Sequence, residues 1–255
     1  MNDFNLTIYK KLLVSLKNNG YSFITFEQYC QGIRPSGNWI ILRHDVDDKK
    51  LNSQKFSEIQ HDLNIKATYY FRLVPQSFDP VVIKKIYDLG HEIGYHYEDM
   101  DFASGKTAVA IQYFEKHLAK LREVVPINTL CMHGSPRSLY DNKDIWKAYD
   151  YKKYDLIGEP YFDIDFDQVF YLTDTGRMWD GFKVSVRDKV ATTVNWPEYH
   201  TTQQIIEAIE NKTFPSMVMM NFHPQRWTDN NYLWFSELVK QSIKNSIKKY
   251  FFVKR

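Results

Sequence analysis

Short apolar runs alternate with segments of helical period along most of this 255-residue chain, and that alternation limits its fold more than any other feature. Residues 39–44, 67–73, 92–96, 129–133 and 217–223 read as strands, and 154–158 and 169–173 as further ones. Between them, 51–63, 80–89, 107–124 and 201–210 carry apolar residues at helical spacing, and Gly90 and Pro126 close two of these helices. Strands separated by helices form parallel βαβ units. At least five in one chain predict an α/β barrel or a doubly wound sheet, and 255 residues fit a single barrel.

Outside this alternation, 6–17 reads as an N-terminal helix closed by Gly20, 25–30 as a short second helix and 232–249 as the last helix. The stretch 150–200 is less regular and predicts hairpins and loops over one end. Within it Asp163, Asp165 and Asp167 have the spacing of a calcium loop. Gln168, however, stands where the sharp turn needs glycine, so a half-buried strand with its acids outward fits better. With no internal repeat and no low-complexity linker, 1–255 is expected to form one domain.

The bulk numbers exclude several classes. A net charge of +2 gives no global pull toward nucleic acid. Lys240, Lys244, Lys248 and Lys249 recur at helical spacing, the pattern of a solvated helix face. Cys30 and Cys131 are far apart, which disfavours a disulfide framework or a cysteine zinc site. No apolar stretch approaches the ~20 residues of a membrane span, and no signal peptide is visible, so a cytoplasmic setting is expected. Phosphate loops and glycine fingerprints are absent, and Ser135 lacks the flanks of a nucleophile elbow.

Chemistry concentrates where the predicted strands end. The run from Trp39 to Leu42 stops at Arg43, His44, Asp45, Asp47 and Asp48. Either these are solvated acids before a helix that Asp48 caps, or a buried strand delivers them to an active site. His96 and Glu98 follow another strand, His133 a third and His223 a fourth. Parallel strands gather their C-terminal ends on one face, so these groups are expected to share a site there. Asp and His are ligands for a catalytic divalent ion, and two carboxylates at one strand end can divide cation binding from proton transfer. Arg43 and His44 flank Asp45 and could orient it. Arg137 and Arg226 could meet substrate anions or form surface salt bridges. Trp179 and Trp227 could wall a sugar ring or simply pack.

At "DLGHEIGYH", "LRHDVDD" and "NFHP" the chain resembles the polysaccharide deacetylases of the NodB-homology type, with the motifs in the family's order between about residues 39 and 224. The resemblance implies a distorted, incomplete, seven-stranded (β/α) barrel and a metal-dependent hydrolase that removes an acetyl group from an N-acetylated sugar or polysaccharide precursor. It implies Asp45 as catalytic base, Asp47 and His96 as ligands to one divalent ion, zinc being expected, and His223 as general acid. The family's second histidine, four residues after the first, is Met100 here, and its Arg-Pro motif is replaced by "MHGSPRS". The third ligand is therefore expected to be His133, or else Glu98. Two other functions stay open: a different metal-dependent amide or ester hydrolase on the same barrel, and a carbohydrate-binding barrel without metal or catalysis.

Overall fold

A computed structural model of the chain describes residues 2–135, 138–179 and 188–251. Its strands are β1 (Ser22–Ile24), β2 (Trp39–Val46), β3 (Thr68–Phe71), β4 (Glu92–Tyr97), β5 (Leu130–Met132), β6 (Phe170–Thr173) and β7 (Met217–Phe222). They form one seven-stranded sheet in the order β5-β4-β3-β2-β7-β6, and every pairing is parallel. β2 lies at its centre. β7 runs along one edge of it, while β1 and then β3 share the other, on residues 39–41 and 43–46. Among the described residues no ladder joins β5 to β6, so the sheet is an open (β/α) barrel, the incomplete form expected.

The helices are α1 (Leu6–Asn18), α2 (Phe26–Cys30), α3 (Lys50–Asp62), α4 (Pro80–Asp88), α5 (Asp99–Phe102), α6 (Thr107–Arg122), α7 (Pro160–Asp163), α8 (Thr202–Glu210) and α9 (Asn231–Phe251). Local chemistry starts several of them. Asn5 and Asp79 cap α1 and α4, and Thr25–Gln28 and Thr201–Gln204 form capping boxes on α2 and α8. Asp48 does not cap α3. That helix starts after Lys49 with no side-chain cap, and the Asp48 carboxylate accepts from the Lys49 N–H.

Alternate side chains on a strand face opposite ways, and the sheet therefore carries two cores. Ile40, Leu42, Val46, Tyr69, Phe71, Ile93, Met220 and Phe222 pack outward against Leu12, Phe56, Ile83, Phe114 and other helix residues. Trp39, Ile41, Tyr70, Cys131 and Met219 face inward and meet Phe26, Tyr29, Ile164, Phe166 and Val169, which plug the interior. Gly94 also faces inward. A Cβ there would collide with the Tyr70 ring, which is why this strand tolerates only glycine at that point.

The stretch 150–200 differs from expectation. β6 is an integral parallel strand beside β7, not half of a hairpin. Residues 154–158 supply only a single bridge, Gly158 to Thr129, because a 3₁₀ turn occupies Tyr151–Tyr154. Asp163 ends α7, and Ile164 and Phe166 are buried from a turn rather than a strand. β1 was not legible in the sequence; with three residues it is too short for a period to register.

Candidate functional site

The C-terminal ends of the strands meet on the inward face. Arg43 and Asp45 on β2, His96 on β4 and Asn221 on β7 are all buried there, and Asp47, Glu98, His133 and His223 follow directly past their strands. Asp47 is the hub. Its Oδ1 lies 3.4 Å from His96 Nε2 and 3.6 Å from His133 Nε2, and its Oδ2 lies 3.9 Å from His223 Nε2. Oδ2 also accepts a hydrogen bond of 3.1 Å from Gln225. Oδ1 is sealed from solvent and has no hydrogen-bond partner. Burial would raise the Asp47 pKa, but the surrounding histidines outweigh it and hold the carboxyl well below its usual range.

Each histidine is turned by what holds its other nitrogen. His96 Nδ1 lies 2.9 Å from the Cys131 carbonyl oxygen, so Nε2 is the atom aimed inward. His133 Nδ1 lies 3.0 Å from Glu98 Oε2. Glu98 in turn accepts from Arg72 Nε at 2.8 Å and Nη2 at 2.6 Å, and it stays ionised because His133 and Arg72 overcome its burial. Both Glu98 oxygens are thus engaged by Arg72, and Glu98, Asp101 and His133 lie close enough together to form a candidate ligand group of their own. Met100 stands where the resembled family has a histidine, and it packs into the outer core instead.

Asp47 Oδ1 and the Nε2 atoms of His96 and His133 converge, and one carboxylate oxygen with two imidazole nitrogens is a donor set that fits a borderline divalent cation. Asp45, His96 and Cys131 also crowd together. Burial pushes the Cys131 thiol well up, so with no cation beside it the sulfur is a neutral part of the floor.

Asp45 is buried in a different way. Its Oδ1 accepts from Arg43 Nε at 2.8 Å, and its Oδ2 accepts from Arg43 Nη2 at 2.7 Å and Asn221 Nδ2 at 3.0 Å. Burial alone would raise its pKa, and the guanidinium reverses that and lowers it. Such a fork fixes the carboxylate plane. His44 takes no part. Being one residue out of step, it points to the outer core, stacked between Tyr69 and Phe222, with Nδ1 on the Thr68 carbonyl oxygen. Burial drives its pKa down to about 3, so it stays neutral.

His223 is anchored by a residue the sequence reading passed over. Asp174, directly after β6, lies 2.5 Å from His223 Nδ1 and also accepts from the His223 backbone N–H. Trp227 Nε1 at 2.6 Å and Arg226 Nη1 at 3.0 Å donate to the same carboxylate. The polar residue at a strand end, which pointed to the other site residues, applied equally to Asp174. Trp227 is therefore not a wall for a sugar ring. It is buried among Phe4, Tyr9, Phe56 and Phe222, and Trp179 is buried beside it with its N–H on Thr202. Arg226 is occupied in bracing Asp174, and Arg137 lies outside the described residues.

No family model matches this sequence, and no curated protein matches it. Several solved structures are similar. One is a CE4-family pseudoenzyme from Bacillus anthracis, 12% identical, covering 83% of this chain and 63% of that one, with a TM-score of 0.47. Others are a family 4 carbohydrate esterase from Bacillus anthracis, 13% identical over 92% of each chain with a TM-score of 0.43, and one from Streptomyces lividans in complex with acetate, 12% identical over 82% of this chain and 90% of that one, also at 0.43. The chain spans just under two thirds of the length of the pseudoenzyme. At this level of likeness the barrel rests on its own topology, described above.

Proposed function

We propose that this chain is a metal-dependent hydrolase that removes an acetyl group from an N-acetylated sugar or polysaccharide precursor. The observation that carries the reading is Asp47 Oδ1, buried, without a hydrogen-bond partner and facing two imidazole nitrogens at 3.4 and 3.6 Å. An unpartnered buried carboxylate oxygen is costly, and a cation offsets that cost. Asp47, His96 and His133 would hold the ion, and zinc suits a set of one oxygen and two nitrogens. When bound, such an ion lowers the pKa of a water and polarises an acyl carbonyl.

The proton chemistry falls to the flanking residues. Asp45 is ionised through the neutral range, and its Oδ1, with a single donor, keeps a lone pair to receive a proton. Arg43 and Asn221 hold that carboxylate in one orientation. His223 Nε2 gives a proton to the leaving amine, while Asp174 fixes Nδ1–H and stabilises the imidazolium. The acetylated sugar as substrate is supported by the resemblance carried by "DLGHEIGYH", "LRHDVDD" and "NFHP", whose His96, Asp45, Asp47 and His223 come to this face.

The test is metal analysis of protein purified without chelator, then acetate release from N-acetylated sugar oligomers. One divalent ion per chain and release of acetate are expected. Protein that holds no divalent ion and cannot regain one would sink the proposal. A metal-loaded protein that cleaves other amides or esters but releases no acetate would keep the hydrolase and overturn the substrate.

A further inference from the structure

α9 is mounted with its apolar side outward. It is held to the barrel largely through polar groups: Trp234 Nε1 donates to the Asp3 carbonyl, Arg177 donates to the Trp234 carbonyl, Glu237 pairs with Lys49, and Asn245 donates to the Gly176 carbonyl. Gln241 is buried on the same side. On the opposite side Tyr232 is 80% exposed, Phe235 63%, Val239 43% and Ile243 57%. Their spacing of three and four residues makes one continuous stripe along the helix. A helix that only covered the barrel would present the reverse arrangement, and a stripe of this kind marks an interaction surface.

Charge says what the stripe meets. Exposed Lys240 and Lys244 flank it. Residues 231–255 contain six Lys or Arg and one acid, Glu237, so the chain's net +2 becomes −3 without them. The chain's excess positive charge therefore sits on this one segment. A second copy of the chain would bring two such segments together and repel. An anionic surface with an apolar interior satisfies both features at once.

We infer that α9 is an interfacial membrane helix, which lays Tyr232, Phe235, Val239 and Ile243 into the surface of a bilayer containing anionic phospholipid, with its lysines at the headgroups. No helix among the described residues is long and apolar enough to cross a membrane, so the contact is a surface one. The inference is independent of the chemistry assigned to the barrel.

Flotation of the full chain with phosphatidylglycerol–phosphatidylcholine vesicles tests it, with pure phosphatidylcholine vesicles for comparison. Binding to the anionic vesicles is expected, weakened by salt and by removal of the anionic lipid. Lys240→Gln with Lys244→Gln should weaken it about thirtyfold, at roughly fivefold per lysine. Phe235→Ser should weaken it about tenfold or more, through the apolar area lost from the bilayer, and an unchanged melting temperature would show that the fold is kept. Absence of binding, equal binding to both vesicle types, or binding indifferent to Phe235→Ser would overturn the inference. So would a dimer in solution that Phe235→Ser dissociates.

Discussion

The inward face of the sheet buries carboxylates at both ends, and they are treated oppositely. Glu92, at the start of β4, accepts from the hydroxyls of Thr68 and Thr129 and from the Glu27 N–H. All its partners are neutral, so burial prevails and its pKa rises to about 7. Four residues further along the same strand, His96 looks onto Asp45 and Asp47, whose pKa values are both lowered. There a guanidinium and three histidines surround the two carboxylates, and Asp47 Oδ1 accepts no hydrogen bond. Burial of a polar group therefore does not set the proposed site apart from the other end of the barrel. Charge compensation with one unfilled place does.

The comparison would break first at Asp47. Asp47→Asn should remove the cation and several kcal/mol of transition-state stabilisation, a loss of turnover of about a thousandfold or more. Metal content and acetate release measured on the same folded sample check this, and retained metal with retained activity would make the two ends alike after all.

The next largest effect is expected at Arg43. Arg43→Met leaves buried Asp45 without its guanidinium, and should cost about 3–5 kcal/mol of stability. Denaturant unfolding reads it directly. Adding Asp45→Asn to Arg43→Met should return much of that loss, because the uncompensated charge goes with it. The native pair also sets an acid limit. The lowered Asp45 pKa contributes stability that is present above the unfolded carboxylate value, and this contribution is lost as pH falls through the folded one.

A smaller effect sharpens the account of His133. Glu98→Gln should weaken metal affinity by about 10–100-fold, by loosening the residue that turns His133, while leaving the metal-bound stoichiometry unchanged. Competition with a chelator would measure it. If Glu98 were itself the ligand, the stoichiometry would drop.

The smallest effect on the site belongs to the opposite end. Glu92→Gln should leave acetate release within a few-fold of the parent. Because the folded pKa of Glu92 lies above the unfolded one, the native protein should lose stability relative to this variant as pH rises from about 4.5 to about 7. Unfolding of both proteins across that window checks the sign, and parallel stability curves would remove Glu92 from the comparison.

Much of the architecture could be read from local pattern. Helices such as α1 and α6 and strands such as β2 and β7 have enough residues for their period to show, and the rule that parallel strands end together brought Asp45, Asp47, His96, His133 and His223 to one face. Even His44 carried its own correction, since a strand period of two places it opposite Asp45. Trp227 did not. Its loop-like surroundings in sequence gave no sign that Phe4, Tyr9 and Phe56, from distant parts of the chain, would enclose it.

By itself, then, the sequence determined the sheet, its direction and the set of polar groups at its open end, because these follow from periods of a few residues. Only the tertiary structure decided which of those groups are free to act. Arg72 reaches Glu98 across 26 residues, and Asp174 reaches His223 across 49. Neither pairing has a local signature, since a charge is satisfied by whatever the fold places within hydrogen-bond reach of it.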